Sequence, residues 1–177
     1  PFSNYKTLNY QLLSPDDCLV NSNNSEVILY LGYPGCGKST FAQKHHHDYK
    51  IINQDTIKSK SKCMKLFKSY LEKREKVVID NTNYNPEVRK TFISLAQQYK
   101  VPIRCFHFNI NKELAMHLNN FRMLTTGIKK VPKVVYNVYD KKIKSPCLEE
   151  GFQEIINVNF VPEFLNTEEE KIFDQLS

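Results

Sequence analysis

The chain predicts an α/β fold, a parallel sheet sandwiched between helices. Three observations carry that reading. Short β-branched and apolar runs recur at 27–31, 49–53, 76–80, 102–108 and 152–160. Segments with helical spacing of apolar residues separate them, and strands alternating with helices favour parallel pairing. A glycine-rich turn also follows the first run directly, as Gly32-Tyr33-Pro34-Gly35-Cys36-Gly37-Lys38-Ser39. In such a sheet the carboxyl ends of the strands line the ligand crevice.

Each element has a local cause. A helix is expected from about Lys38 to His46. Apolar residues at Ile57, Met64, Phe67 and Leu71 stand among lysines and predict an amphipathic helix after the second strand. Asn81-Thr82-Asn83-Tyr84 reads as a turn after the third strand. Asn85 then caps a helix with Pro86 at its first position and a core stripe at Val88, Phe92, Leu95, Ala96 and Tyr99. A further helix runs from about Lys112 to Leu124 and stops at Thr125-Thr126-Gly127. Another covers 132–141, and a short terminal one covers 167–176. Residues 1–25 are polar and lack sustained periodicity, so they are expected to be a linker or lead-in, with residues 26–177 as one domain.

The turn at 32–39 has phosphate-loop spacing and lies where that motif must, between a strand and a helix. Gly32, Gly35 and Gly37 let the backbone approach phosphate oxygens closely. The amides from Gly32 to Thr40, with Pro34 and Cys36 among the loop residues, form an anion nest that merges with the helix N-terminus. Lys38 can reach the β- and γ-phosphates, and the Ser39 hydroxyl can ligate Mg²⁺. The loop therefore predicts binding of a nucleoside triphosphate in a kinase-like sheet.

Gly32, Asp55 and Asp80 fall just after three different strands, on one crevice edge. One of the two carboxylates can take the proton of an acceptor hydroxyl while the other holds Mg²⁺ or its waters; the lesser alternative for each is a turn or helix cap. Arg122 is a candidate for stabilising transition-state charge from a lid, or an ordinary exposed helix arginine. Residues 128–144 hold six lysines against Asp140 alone, interleaved with Tyr136 and Tyr139. Such a basic lid can grip a phosphodiester backbone and stack a base, or be a solvated helix with its tyrosines in the core. His45-His46-His47 point in different directions on a helix and read as a solvated helix end. Cys36 is either sensitive to oxidation or simply small enough for the loop.

With 177 residues, 41% hydrophobic and 25% charged, the composition is that of a globular domain. No apolar run approaches the roughly 20 residues of a membrane span. Five widely spaced cysteines without a Cys-x-x-Cys pair argue against a disulfide framework and for a reducing, intracellular compartment. The net charge of +6 favours anionic partners.

GYPGCGKSTF, NQDT, VVIDNTN, VPIRCFHF, HLNNFR, VVYNVYDKKIKSP and EGFQEIINVNF occur in that order. Over about residues 26–160 the chain resembles the 5′-kinase domain of the bifunctional polynucleotide kinase 3′-phosphatase family. The resemblance implies transfer of the ATP γ-phosphate, with Mg²⁺, to the 5′-hydroxyl of a nucleic-acid strand, DNA rather than RNA, before ligation. By motif, Lys38 and Ser39 are the phosphate-loop pair and Asp55 matches the general base. Asp80, Asn81 and Thr82 match the acceptor side, with Asp80 also assisting the metal, and Arg122 matches a lid arginine. The chain departs from animal members at Gln54 and Asn120, where they commonly have arginine; Lys129, Lys130 and Lys133 are candidates to supply the missing charge to the substrate. No Asp-x-Asp-x-Thr phosphatase motif is present. The expectations are a monomer without phosphatase activity, with a phosphatase domain N-terminal to it in the full-length protein, and a nuclear location. A small-molecule or nucleotide kinase of the same class is the alternative, and a non-catalytic nucleotide-binding module a further one.

Overall fold

The computed structural model describes residues 25–175. The linker expectation for 1–25 thus lies, apart from Ser25, outside the described residues. Five strands, β1 (Val27–Leu31), β2 (Lys50–Ile52), β3 (Val77–Ile79), β4 (Ile103–Phe108) and β5 (Glu154–Val158), pair in parallel in the order β2-β3-β1-β4-β5. Central β1 is wholly buried, which is why it reads as a continuous apolar run rather than an alternating one.

Seven helices are described: α1 (Lys38–His45), α2 (Gln54–Ile57), α3 (Lys60–Glu72), α4 (Pro86–Gln98), α5 (Lys112–Thr126), α6 (Lys133–Lys142) and α7 (Thr167–Gln175). Alternate residues of β1, β3, β4 and β5 feed two cores. Val27, Leu29 and Leu31 pack with Phe67 of α3 and with Phe92 and Ala96 of α4. Ile28 and Tyr30 pack on the other face with Ala42 of α1, Ala115 of α5 and Tyr136 and Tyr139 of α6. The sandwich expected from the sequence is the one observed.

The differences are local. The single amphipathic helix expected from Ile57 to Leu71 is two, α2 and α3. Lys58 between them is left-handed at φ 58°, and Ser59 accepts from Lys62 N to start a new helix. In the histidine run at the end of α1, His47 is exposed as expected and His45 is half-buried, but His46 is fully buried and meets the Tyr30 hydroxyl through Nδ1. Asn85 caps α4 through Val88 N, with Pro86 at its first turn, and Gly127 closes α5 at φ 70°. In these the structure follows the sequence expectation.

Candidate active site

Because β2, β3 and β1 are neighbours in the sheet, the residues that follow them meet at one edge. The peptide chains themselves interlock there: Gly32 N donates to Thr82 O at 3.3 Å, and Asp80 N to Ile52 O at 2.9 Å. Gly35 and Gly37 take φ 76° and 89°, which L side chains adopt only with strain. Gly32 is needed for a different reason. A Cβ there would lie 2.9 Å from both Cys36 Sγ and Phe108 Cβ.

Lys38 is nearly buried and folds back over the loop. Its ammonium donates to Tyr33 O at 2.6 Å, to Gly32 O at 3.1 Å and to Cys36 Sγ at 3.5 Å. Burial raises the Cys36 thiol above its ordinary value, with Lys38 opposing in part. A buried neutral thiol is a poor nucleophile, so Cys36 behaves as a small residue that fits.

Ser39 Oγ donates to Asp80 Oδ2 at 2.6 Å. The Asn53 side chain donates to Asp80 O at 2.8 Å and to Asp80 Oδ2 at 3.3 Å, while its Oδ1 accepts from Asp55 N and Thr56 N. Asn53 thereby caps α2 and ties Asp55 to Asp80. Asn81 Oδ1 accepts from Gln54 N at 2.9 Å, a second link between the two acidic segments. Asp80 is buried and Asp55 is exposed on the first turn of α2. Asn83, left-handed at φ 46°, anchors the same turn by donating to Tyr30 O at 2.7 Å.

The Ser39 and Asp80 oxygens form a hard donor pair beside the nest, which suits Mg²⁺, an ion that keeps several waters and takes few protein ligands. Among the described residues no group of three or more His, Cys, Asp or Glu gathers into a protein-only cage.

The lid side is closed by α5 and α6. Tyr136 Oη donates to Pro34 O at 3.0 Å, and Tyr33 Oη donates to Asp140 Oδ1 at 2.6 Å. Arg122 Nη2 donates to Asn119 Oδ1 at 3.2 Å, and its Nε is buried with no hydrogen-bond partner. Asn119 itself abuts the loop, 3.6 Å from where a Gly35 Cβ would stand. Arg122 therefore sits one turn along α5 from the phosphate loop. Of the two readings of 128–144, the structure has the one with the tyrosines in the core: Tyr136 and Tyr139 are buried, and the six lysines of the segment are exposed. Thr40, on the first turn of α1, is exposed as well.

Sequence reasoning missed Asn53 and Asn119, and the contacts of Tyr136 and Asp140 with the loop. Only Asn53 carried a signal, as a capping residue immediately before an acidic first turn.

A family model described as an AAA domain matches residues 61–146. A bifunctional polynucleotide phosphatase/kinase of Schizosaccharomyces pombe is 36% identical over 165 residues, 86% of this chain and 40% of that protein. A protein of Acanthamoeba polyphaga mimivirus with the same description is 35% identical over 162 residues, 89% of this chain and 37% of its own length. The chain thus spans about two-fifths of these relatives. In structure it is similar to Chaetomium thermophilum Kti12, solved with ADP-AlF3, at a TM-score of 0.60 and 14% identity, over 85% of this chain and 96% of that one. The family resemblance and the kinase-like phosphate-loop sheet expected from the sequence are both borne out.

Proposed function

We propose that this chain, related over most of its length to the bifunctional polynucleotide phosphatase/kinases, is an ATP-dependent polynucleotide 5′-hydroxyl kinase. The observation that carries the reading is the meeting of the phosphate loop, Asp80 and Asp55 on one sheet edge. The relatives' names support a polynucleotide acceptor. The exposed lysines of the lid support an anionic one.

Nest amides and Lys38 bind the β- and γ-phosphates, Lys38 exchanging loop carbonyls for phosphate oxygens. Ser39 and Asp80 hold Mg²⁺, which neutralises charge on the phosphates when bound. The exposed Asp55 carboxylate accepts the proton of the 5′-hydroxyl as its oxygen bonds to the γ-phosphorus and the bond to the β–γ bridging oxygen breaks, releasing ADP. Arg122, with an uncommitted Nε, stabilises charge on the migrating phosphoryl. Asn81 and Thr82 border the acceptor, and Lys129, Lys130 and Lys133 hold its backbone, DNA in preference to RNA. The chain acts as a monomer in the nucleus on ends awaiting ligation, and has no phosphatase activity of its own.

The test is a competition for labelled γ-phosphate between a 5′-hydroxyl oligonucleotide and a mononucleoside. The reading expects label on the oligonucleotide. Label on the mononucleoside alone would replace it with a small-molecule kinase.

A further inference from the structure

The phosphate loop does not stand alone: helix α6 holds it from outside. We propose that Tyr136 and Asp140 are positioning residues that set the phosphate loop for the triphosphate. The inference rests on the loop being the triphosphate site and needs nothing about the acceptor.

Two bonds and one stack make the connection. Tyr136 donates to the carbonyl of Pro34 at 3.0 Å, and Asp140 accepts from the Tyr33 hydroxyl at 2.6 Å. The Tyr33 ring meets both tyrosines of the helix, with centroids 6.1 Å from Tyr136 at 19° and 4.2 Å from Tyr139. Lys112 of α5 reaches the other Asp140 oxygen at 3.4 Å. The bond from Tyr33 and the Lys112 charge hold the Asp140 carboxyl below its ordinary value, so it is an anionic acceptor at neutral pH.

The consequence for phosphate follows from peptide geometry. In a planar trans peptide the C=O and N–H point in opposite directions. Fixing the Pro34 carbonyl toward α6 therefore aims the Gly35 N–H away from it, to the other side of the loop. That amide belongs to the anion nest, and a nest binds phosphate only when its N–H groups converge. Lys38 holds the preceding carbonyl, Tyr33 O, from within the loop. The Tyr136 bond is the external constraint on the next peptide.

The closeness of the contact also constrains the sequence. A Cβ on Gly35 would stand 3.2 Å from Tyr136 Oη, so the approach of the helix and the glycine belong together. The helix is itself fixed without the loop's help. Before it, Asn119 donates to Val131 O at 2.9 Å and accepts from Val131 N at 3.0 Å. After it, Lys144 N donates to Tyr84 O at 2.9 Å, and Arg89 donates to Lys144 O at 3.0 Å. The rigid partner is α6, and the loop is what it positions.

Tyr136→Phe keeps the ring and removes one hydrogen bond; Asp140→Asn weakens the other. The experiment measures the affinity of the intact chain for ATP, for inorganic tripolyphosphate and for adenosine, by displacement of a fluorescent nucleotide. Each variant is expected to weaken ATP and tripolyphosphate together by about three- to tenfold, the scale of one hydrogen bond. Adenosine affinity stays unchanged, as does everything in Val134→Ala on the exposed face of the same helix. Phosphate affinities equal to wild type, or a loss shared equally by adenosine, would overturn the proposal. Should Tyr136→Phe unfold, Tyr33→Phe reads the Asp140 bond from the loop side, and its effect must not add to that of Asp140→Asn. No acceptor enters these measurements, so a failed polynucleotide assay would overturn the proposed function while leaving this result to stand or fall alone.

Discussion

The hydroxyl of Ser39 donates to the carboxylate of Asp80 at 2.6 Å, although 41 residues separate them in the chain. This bond joins the first turn of α1 to the end of β3. It exists because β1 and β3 are parallel neighbours with Leu29 opposite Ile79, so their carboxyl ends face the same edge, β1 running two residues further to Leu31. Asn53 adds the end of β2 to the same carboxylate.

If Ser39 and Asp80 hold the metal together, Asp80→Asn raises the half-saturating Mg²⁺ concentration of the transfer reaction by about tenfold or more, the scale of losing a metal-side partner. Ser39→Ala produces a similar shift, and the double variant is less impaired than the product of the two. Titration of initial rate against Mg²⁺ checks it. Fully multiplicative effects would separate the two residues.

Removing the base leaves the donor site intact. Asp55→Asn is expected to lower kcat by about 10²- to 10⁴-fold, the range for a positioned general base, with ATP affinity within about twofold of wild type. The exposed side chain takes no part in packing, so thermal unfolding should not move. Parallel single-turnover and nucleotide-binding measurements check both halves.

Arg89 is fully buried and makes a bidentate pair with Glu150, at 2.7 and 2.6 Å, while its Nη1 holds Asn83 O and Lys144 O. Truncating one member of a buried pair strands the other, so Arg89→Ala should cost about 3–5 kcal/mol in chemical denaturation. Because Asn83 and Lys144 flank the acceptor turn and the lid, the acceptor KM should rise as well. A cost below about 1 kcal/mol would mean that solvent reaches the pair.

Burial lowers the pKa of His107 on β4, with an opposing hydrogen bond that the ring donates to Asn157. Its folded-state pKa is depressed, so the folded form resists taking up the proton. The stability contribution is complete above the ordinary imidazole value of about 6.5 and is lost as pH falls through the lowered one. Thermal unfolding should move down between pH 7.5 and pH 5.5, and His107→Gln should shrink that drop.

Much of this was legible in the chain. The phosphate loop identified itself because glycine spacing, strand and helix are all local, and Asp55 and Asp80 were found because each directly follows a strand. The caps at Asn85 and Gly127 obey rules that reach only three residues. What escaped reading was contact between distant segments. Nothing near Tyr136 announces that its hydroxyl meets Pro34, 102 residues away, and alternating lysine and tyrosine looked as much like a base-stacking surface as a core. The break at Lys58 was hidden because the apolar residues on either side of it share one core face. His46 was misread for the complementary reason. Beside the local Phe41 and Tyr49, its burial comes from Tyr30 and Phe106, which lie on β1 and β4.

The measurement that tests the central claim most directly is transfer of labelled γ-phosphate from ATP with Mg²⁺ to a 5′-hydroxyl oligonucleotide, beside the same oligonucleotide already 5′-phosphorylated. The account predicts label on the first and none on the second, and transfer to the first slowed by about 10²- to 10⁴-fold in Asp55→Asn. Equal labelling of both, or none on either by protein that binds ATP, would contradict it.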